Sequence, residues 1–179
     1  AARLALAAKK PVSVRWSREE EFTWAYFRPA GVIDIAGGLD AQGALIAWDH
    51  VNILSGASAI ATPYQIPNAA TEFKSSESPL RVGSYRALAS TANTFARESM
   101  MDELADALAI DRLEFRRRNA LKVGDRTATG QLLEYSAGLA ECLDALAPHW
   151  ERAKAECESF NRTSHILKRG AGVGCMWYG

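Results

Sequence analysis

The sequence predicts an α+β fold in which antiparallel strands pack against a set of helices. Strand-like segments fall mostly within 11–75, helical spacing dominates 88–160, and an apolar strand-like run closes the chain at 166–178. Strands that precede helices, rather than alternate with them, favour α+β over parallel βαβ units. With 48% apolar and 23% charged residues, the chain has the composition of an ordinary globular domain.

The first segments carry local start and stop signals. Residues 1–9 are rich in alanine and favour a helix that Pro11 ends. Residues 12–16 alternate like a half-buried strand. Ser17 and Glu20 have the spacing of a capping box, which predicts a short helix through about Phe22.

A β-hairpin follows. Residues 23–35 and 44–54 are predicted as strands, because glycines and Asp40 between them supply turn chemistry. Residues 69–74 are a third predicted strand.

Helical periodicity then takes over. Apolar residues from Ala92 to Leu108 form one stripe and predict a helix over 90–109. Asp111 and Glu114 open a second helix. Two further helices, 138–146 and 150–160, are predicted on either side of Pro148, since proline disfavours a helix interior.

Charge and cysteine usage exclude several classes of protein. Lys plus Arg and Asp plus Glu number 21 each, so no global field attracts nucleic acid or an anionic membrane. The three cysteines show no metal or disulfide spacing and favour a reducing compartment, and the three histidines are predicted to be structural. No apolar run has the length of a membrane span, and the first residue is not Met, so we expect a segment of a longer chain.

The loop 81–88 is the one place that favours a ligand. Arg86 follows a Gly-Ser-Tyr run and precedes a helix of small residues, and cationic loops at helix N-termini favour anions. The alternative is a structural arginine that satisfies carbonyl groups near the helix start. Spacing alone leaves both open.

Several motifs together resemble one family. They are AAKKPVSVRWSREEEF at 7–22, PYQIPN at 63–68, PLRVGSYRALASTANTFARESMMDELA at 79–105, DRLEFRRRN at 111–119 and KRGAGVGCMWYG at 168–179. In this order they resemble the molybdenum-cofactor-binding subunit of the xanthine dehydrogenase and aldehyde oxidase family, the molybdenum hydroxylases. The resemblance implies a partial molybdopterin-binding domain over 1–179.

The resemblance also implies site residues. Ser84, Tyr85 and Arg86 would contact the molybdopterin cofactor, which the resemblance implies is molybdopterin cytosine dinucleotide carrying molybdenum. Leu88 would line the substrate pocket. This cofactor is anionic and would be the anion that the loop at 81–88 favours. No catalytic or metal-ligating residue is expected here: the general-base glutamate is expected beyond Gly179, so the segment alone would be inactive.

Departures from the family pattern narrow the expected substrate. Ala87 stands where the carbon monoxide dehydrogenase branch has a copper-binding cysteine, and Leu88 replaces an aromatic residue of the xanthine enzymes. Residues 55–59, SGASA, lack the substrate-holding arginine of those enzymes. The expected substrate is therefore another N-heterocycle or an aldehyde, with water as the oxygen source.

Partners follow from the resemblance too. It implies separate 2Fe-2S and FAD subunits or domains, in a cytoplasmic complex or, as for exported relatives, a periplasmic one; it implies no nucleic acid and no membrane span. A second hypothesis is a non-enzymatic scaffold domain derived from this family.

Overall fold

The computed structural model describes residues 1–177 and confirms the α+β class. Within these residues the helices are α1 (Ala2–Ala8), α2 (Arg18–Trp24), α3 (Ser90–Ala107), α4 (Arg112–Asn119) and α5 (Leu139–Thr163). The strands are β1 (Val32–Leu39), β2 (Leu45–Ile53) and β3 (Asn68–Lys74). No helix among them is both long and apolar enough to cross a membrane.

The sheet has β2 at its centre. β1 pairs with β2 in the predicted antiparallel hairpin, where the Asp40 carboxylate accepts hydrogen bonds from the amides of Gln42 and Ala44. β3 pairs with β2 in parallel, which the prediction of antiparallel strands did not include. The long connection 54–67 makes this possible, because a parallel neighbour requires a crossover.

α3 covers one face of the sheet, and α4 and α5 pack beyond it. Each of these elements contributes buried apolar side chains to one core, whose members include Leu45, Trp48, Met101, Ala105, Leu113, Phe115, Leu143 and Trp150. Among residues 1–177, β3 is an edge strand of the sheet, and all of its residues are exposed.

Two predicted strand segments near the start are wrong. Residues 12–16 form no strand, and Val14 and Trp16 are exposed instead of half-buried against a partner. β1 begins at Val32 rather than Thr23, because the capping box of Ser17 and Glu20 starts α2, which continues to Trp24. The capping box itself is confirmed by hydrogen bonds in both directions.

Two predictions in the second half also need correction. α5 is one helix through Pro148, because Leu143 and Trp150 on either side of the proline are both buried in the core. The closing strand predicted at 166–178 has no strand partner over 166–177; its Tyr178 lies outside the described residues. Side chains bond this segment instead: Asn161 pairs with the backbone N–H and C=O of Arg169.

Candidate functional site

The predicted anion loop, residues 84–88, lies between a short backbone bridge and the first turn of α3. Phe27 pairs with Val82, its amide donating to Arg81 O (2.9 Å) and its carbonyl accepting from Gly83 N (3.1 Å). Gly83 packs against Tyr26, whose Cγ would lie 2.8 Å from a Cβ added at position 83. The loop therefore begins at a position held by the bridge, where any residue larger than glycine would force Tyr26 or the backbone to move.

Arg28, which directly follows Phe27 of the bridge, contacts the loop itself. Its guanidinium donates to the carbonyl oxygens of Arg86 (2.6 Å) and Leu88 (2.5 Å) and to Thr91 Oγ1 (3.0 Å). It also stacks over the Tyr85 ring, 5.0 Å from the centroid. One side chain thus joins the loop to the start of α3.

The end of the loop is backbone-strained. Ala87 and Leu88 have φ angles of 65° and 49°, in the left-handed region that residues with a Cβ disfavour. The carbonyl of Ala87 accepts from both the amide and the hydroxyl of Ser90. Consecutive residues in this conformation persist only where surrounding contacts impose it, and they cluster at functional sites.

The loop exposes amides and hides carbonyls. The carbonyl oxygens of residues 85–88 all accept hydrogen bonds, whereas the amides of residues 84–87 have no acceptor among residues 1–177. The Arg86 side chain is exposed and makes no hydrogen bond or ion pair within the same residues. Amides without an acceptor and an exposed guanidinium are donors that an anion can bind.

The structural alternative for Arg86 is therefore wrong in this fold. The side chain that satisfies carbonyl groups near the start of α3 is that of Arg28. Arg28 was not among the predicted site residues, because it lies 58 residues before Arg86 and in no motif that predicts a ligand. Its only local signal is its place before Pro29, which favours extended backbone.

A second loop, residues 54–61, faces the first. Asn93 donates to the carbonyls of Gly56 (3.0 Å) and Ser58 (2.9 Å), and Arg97 donates to Ala59 O (3.0 Å). Since both donors are on α3, the same helix positions both loops. Between the loops is a cleft of ≈ 230 Å³, lined by Arg28, Pro29, Ser55, Gly56, Ser58, Gly83, Ser84, Tyr85, Leu88 and Ala89.

The structure thus brings most of the predicted site residues together. Ser84, Tyr85 and Leu88 line the cleft with three residues of the SGASA segment, Ser55, Gly56 and Ser58. The side chain of Arg86 does not line it. Tyr85 and Leu88 are 60% and 37% exposed, so both are accessible to a ligand.

A buried ionic cluster supports α3 below the loops. Glu98 accepts from Arg116 Nε (2.8 Å), Arg97 Nε (3.1 Å), Tyr64 Oη (2.9 Å) and the amide of Cys175 (3.0 Å). Burial first, and then the Glu98 charge, raise the pKa of Tyr64 far above its usual range. The cluster therefore keeps Tyr64 protonated as a donor and ties the C-terminal segment to α3.

The other candidate ligand types form no site. Among residues 1–177 no group of His, Cys, Asp and Glu has the arrangement of a metal site. The cysteines are unpaired, with Cys142 exposed, Cys157 partly buried and Cys175 buried. His149 and His165 are exposed, and His50 is fully buried.

Comparison with known proteins gives the family. Residues 1–120 match the family described as "Molybdopterin cofactor-binding domain". The chain is 35% identical over 187 residues to the putative xanthine dehydrogenase molybdenum-binding subunit of Escherichia coli K12, covering 94% of this chain and 24% of that protein. It is 28% identical over 190 residues to the aldehyde oxidoreductase of Megalodesulfovibrio gigas, covering 98% and 21%.

The fold agrees with this family. The solved aldehyde oxidoreductase from Desulfovibrio gigas superposes with a TM-score of 0.71 over 91% of this chain and 19% of that one, at 24% identity. The chain spans about a quarter of the length of the curated relatives it matches. The chain belongs to the molybdopterin cofactor-binding domain family of the xanthine dehydrogenase and aldehyde oxidoreductase proteins.

Proposed function

We propose that the loop at 84–88 holds the molybdopterin in a molybdenum-dependent hydroxylase subunit that oxidises an N-heterocycle or an aldehyde. The observation that carries the proposal is the hydrogen bonding of the loop backbone. The carbonyls of residues 85–88 accept hydrogen bonds from within the protein, whereas the amides of residues 84–87 have no acceptor among residues 1–177. The dithiolene-bound metal unit and the phosphates of the cofactor are anionic, so free amides fit them.

Each predicted residue then has a distinct part. The amides of Ser84 and Tyr85 would donate to the cofactor, and the exposed Arg86 guanidinium would supply a charge-assisted contact. The cleft beside them is apolar at Leu88 and offers the hydroxyls of Ser55 and Ser58 on its other side. We assign Leu88 to the wall of the substrate pocket.

When bound, the cofactor supplies hydroxylation of a substrate carbon with oxygen from water and the removal of two electrons. The chain's own contribution is to bind and orient, since none of the residues lining the cleft is Asp, Glu or His. Proton removal therefore requires a group from elsewhere in the complete subunit. We expect residues 1–179 alone to be inactive.

The residues that line the cleft also indicate which class of substrate it favours. Leu88 cannot stack as an aromatic residue would, and the facing loop offers Ser55, Gly56 and Ser58 rather than a cation. These residues favour a neutral N-heterocycle or an aldehyde over a purine. The relative named as an aldehyde oxidoreductase supports the aldehyde part of this range, whereas the relative named for xanthine, a purine, does not support it.

Electron transfer requires further groups. With three separate cysteines this chain has no set of thiolates for an iron-sulfur cluster. We therefore propose partner subunits or domains that carry 2Fe-2S clusters and FAD, and the cytosine dinucleotide form of the molybdopterin.

The test uses the full-length subunit in its complex. Molybdenum and released pterin nucleotide are measured for the unaltered protein and for Arg86→Ala, with Arg15→Ala as an exposed control. We expect Arg86→Ala to lower occupancy or turnover with the fold retained, because a charged hydrogen bond contributes about 1.5–3 kcal/mol. Unchanged molybdenum content and rate in Arg86→Ala would contradict the role of Arg86.

An oxidation screen with N-heterocycles and aldehydes on the same complex then assigns the substrate. A complex that assembles without molybdenum or pterin would instead support the scaffold hypothesis.

A further inference from the structure

We propose that Arg28 is the positioning residue of the loop at 84–88: it fixes the conformation that leaves the loop's amides free. The part of this inference that concerns the cofactor rests on the proposed function. The part that concerns the loop rests on contacts within this chain alone.

The two carbonyls that Arg28 binds bracket the strained residues. Arg86 O precedes Ala87 and Leu88 O ends the pair, and both accept from the same guanidinium, through Nη2 (2.6 Å) and Nη1 (2.5 Å). Ala87 and Leu88 are the residues with φ of 65° and 49°. A rigid fork that holds the carbonyls on both sides opposes relaxation of the pair to right-handed backbone.

The same contacts determine where the amides point. A carbonyl and the following amide belong to one planar peptide unit and point in opposite directions. Drawing the Arg86 carbonyl toward Arg28 therefore turns the amide of Ala87 away from it. That amide is one of those without an acceptor within residues 1–177.

Arg28 is itself held in place. The bridge between Phe27 and Val82 fixes the backbone next to it, and the Tyr85 ring lies 5.0 Å beneath its guanidinium. Nη1 also donates to Thr91 Oγ1 (3.0 Å) in the first turn of α3. Lys at this position would keep the charge but could not reach both carbonyls with the same geometry.

Hydrogen exchange in the full-length subunit tests the inference. The amides of Leu88 and Ser90 bond to Tyr85 O (2.7 Å) and Ala87 O (2.9 Å), so their exchange reports the loop conformation. Peptides that cover 83–92 are compared with peptides from 95–107 of α3, which act as an internal standard for global folding. The variants are Arg28→Lys and Arg28→Ala, with Arg15→Lys and Arg15→Ala as controls on an exposed arginine.

We expect exchange at Leu88 and Ser90 to accelerate at least tenfold in both Arg28 variants, with no change in α3 or in the Arg15 variants. Unchanged loop exchange in Arg28→Ala, or wild-type exchange in Arg28→Lys, overturns the proposal. If Arg28→Ala does not fold, Arg28→Lys alone decides.

Molybdenum content in the same preparations separates the two claims. Faster loop exchange with lower molybdenum content supports both the positioning role and the proposed function. Faster loop exchange with full molybdenum content upholds Arg28 as the residue that holds the loop and counts against the loop as the cofactor contact.

Discussion

The Oε2 atom of Glu98 lies 2.8 Å from Nε of Arg116, and the Arg116 side chain is completely buried. Glu98 also pairs with the buried Arg97, so two guanidinium groups share one carboxylate. Asp102 adds a second carboxylate to Arg116 at 2.8 Å. The loop at 54–61 depends on this cluster, because Arg97 also donates a hydrogen bond to Ala59 O.

Glu98→Gln, which removes the charge but keeps the size of the side chain, should be among the most destabilising substitutions of a carboxylate by its amide in this chain. It leaves buried guanidinium charges without their main partner, which typically costs about 3–5 kcal/mol. Denaturant unfolding of the full-length subunit measures the loss. Glu114→Gln, which breaks the surface pair with Arg118, serves as control and should cost under about 1 kcal/mol; equal losses would contradict a special role for the cluster.

Gly83→Ala should displace the loop at its start. The added Cβ would meet Cγ, Cβ and Cδ1 of Tyr26 at 2.8, 3.0 and 3.1 Å, atoms too close to the Tyr26 backbone to swing away. Overpacking of this kind costs about 1–3 kcal/mol. In a double-mutant cycle with Tyr26→Ala, measured by denaturant unfolding, the second substitution should recover most of the loss; purely additive effects would exclude the clash as the cause.

Asp111 should stabilise the junction of α4 and α5. Its carboxylate caps the amides of Leu113 and Glu114 and accepts from Trp150 Nε1 (2.9 Å) and Lys154 Nζ (2.7 Å). Burial raises the pKa of Asp111, but the Lys154, Trp150 and backbone hydrogen bonds outweigh it and lower the value to about 2. Asp111→Ala should cost about 0.5–2 kcal/mol for the lost cap alone.

The pH dependence of that contribution has a definite sign. Because the folded-state pKa lies below the ordinary value, the stabilisation is present above about pH 4 and disappears as the pH falls toward about 2. Unfolding midpoints of wild type, Asp111→Asn and the exposed control Glu103→Gln between pH 2 and 7 measure it. A constant difference between wild type and Asp111→Asn across this range would refute the assignment.

His50 should make the subunit sensitive to mild acid. Burial lowers its pKa, with Arg97 acting in the same direction and Asn93 and Asp49 against it. Below about pH 6.5 the unfolded chain therefore binds a proton that the folded chain rejects, so stability falls as the pH drops from that value toward the folded pKa. The slope cannot exceed about 1.4 kcal/mol per pH unit for one group.

Unfolding of His50→Gln between pH 5 and 8 tests this. The variant should lose the slope due to His50, whereas His149→Gln, at an exposed histidine, should retain it. An unchanged slope in His50→Gln would place the acid sensitivity elsewhere.

Part of the site was predictable and part was not. The motif around 84–88 identified Ser84, Tyr85, Arg86 and Leu88. The structure brings all of them except the Arg86 side chain to one cleft, which residues of the SGASA segment at 55–59 also line. Their roles toward the cofactor stay predictions. Arg28 carried no signal of a role at the site, because its function as a donor exists only where the bridge from Phe27 to Val82 places it beside the loop.

The sequence by itself determined the features that arise from near neighbours: the capped start of α2 at Ser17, the hairpin turn around Asp40 and the capped start of α4 at Asp111. Each depends on hydrogen bonds between residues a few positions apart, so local pattern suffices. Tertiary structure decided the unbroken helix across Pro148, the parallel position of β3 and the side-chain bonding of the C-terminal segment. These depend on burial and on partners tens of residues away, which outweigh local propensity.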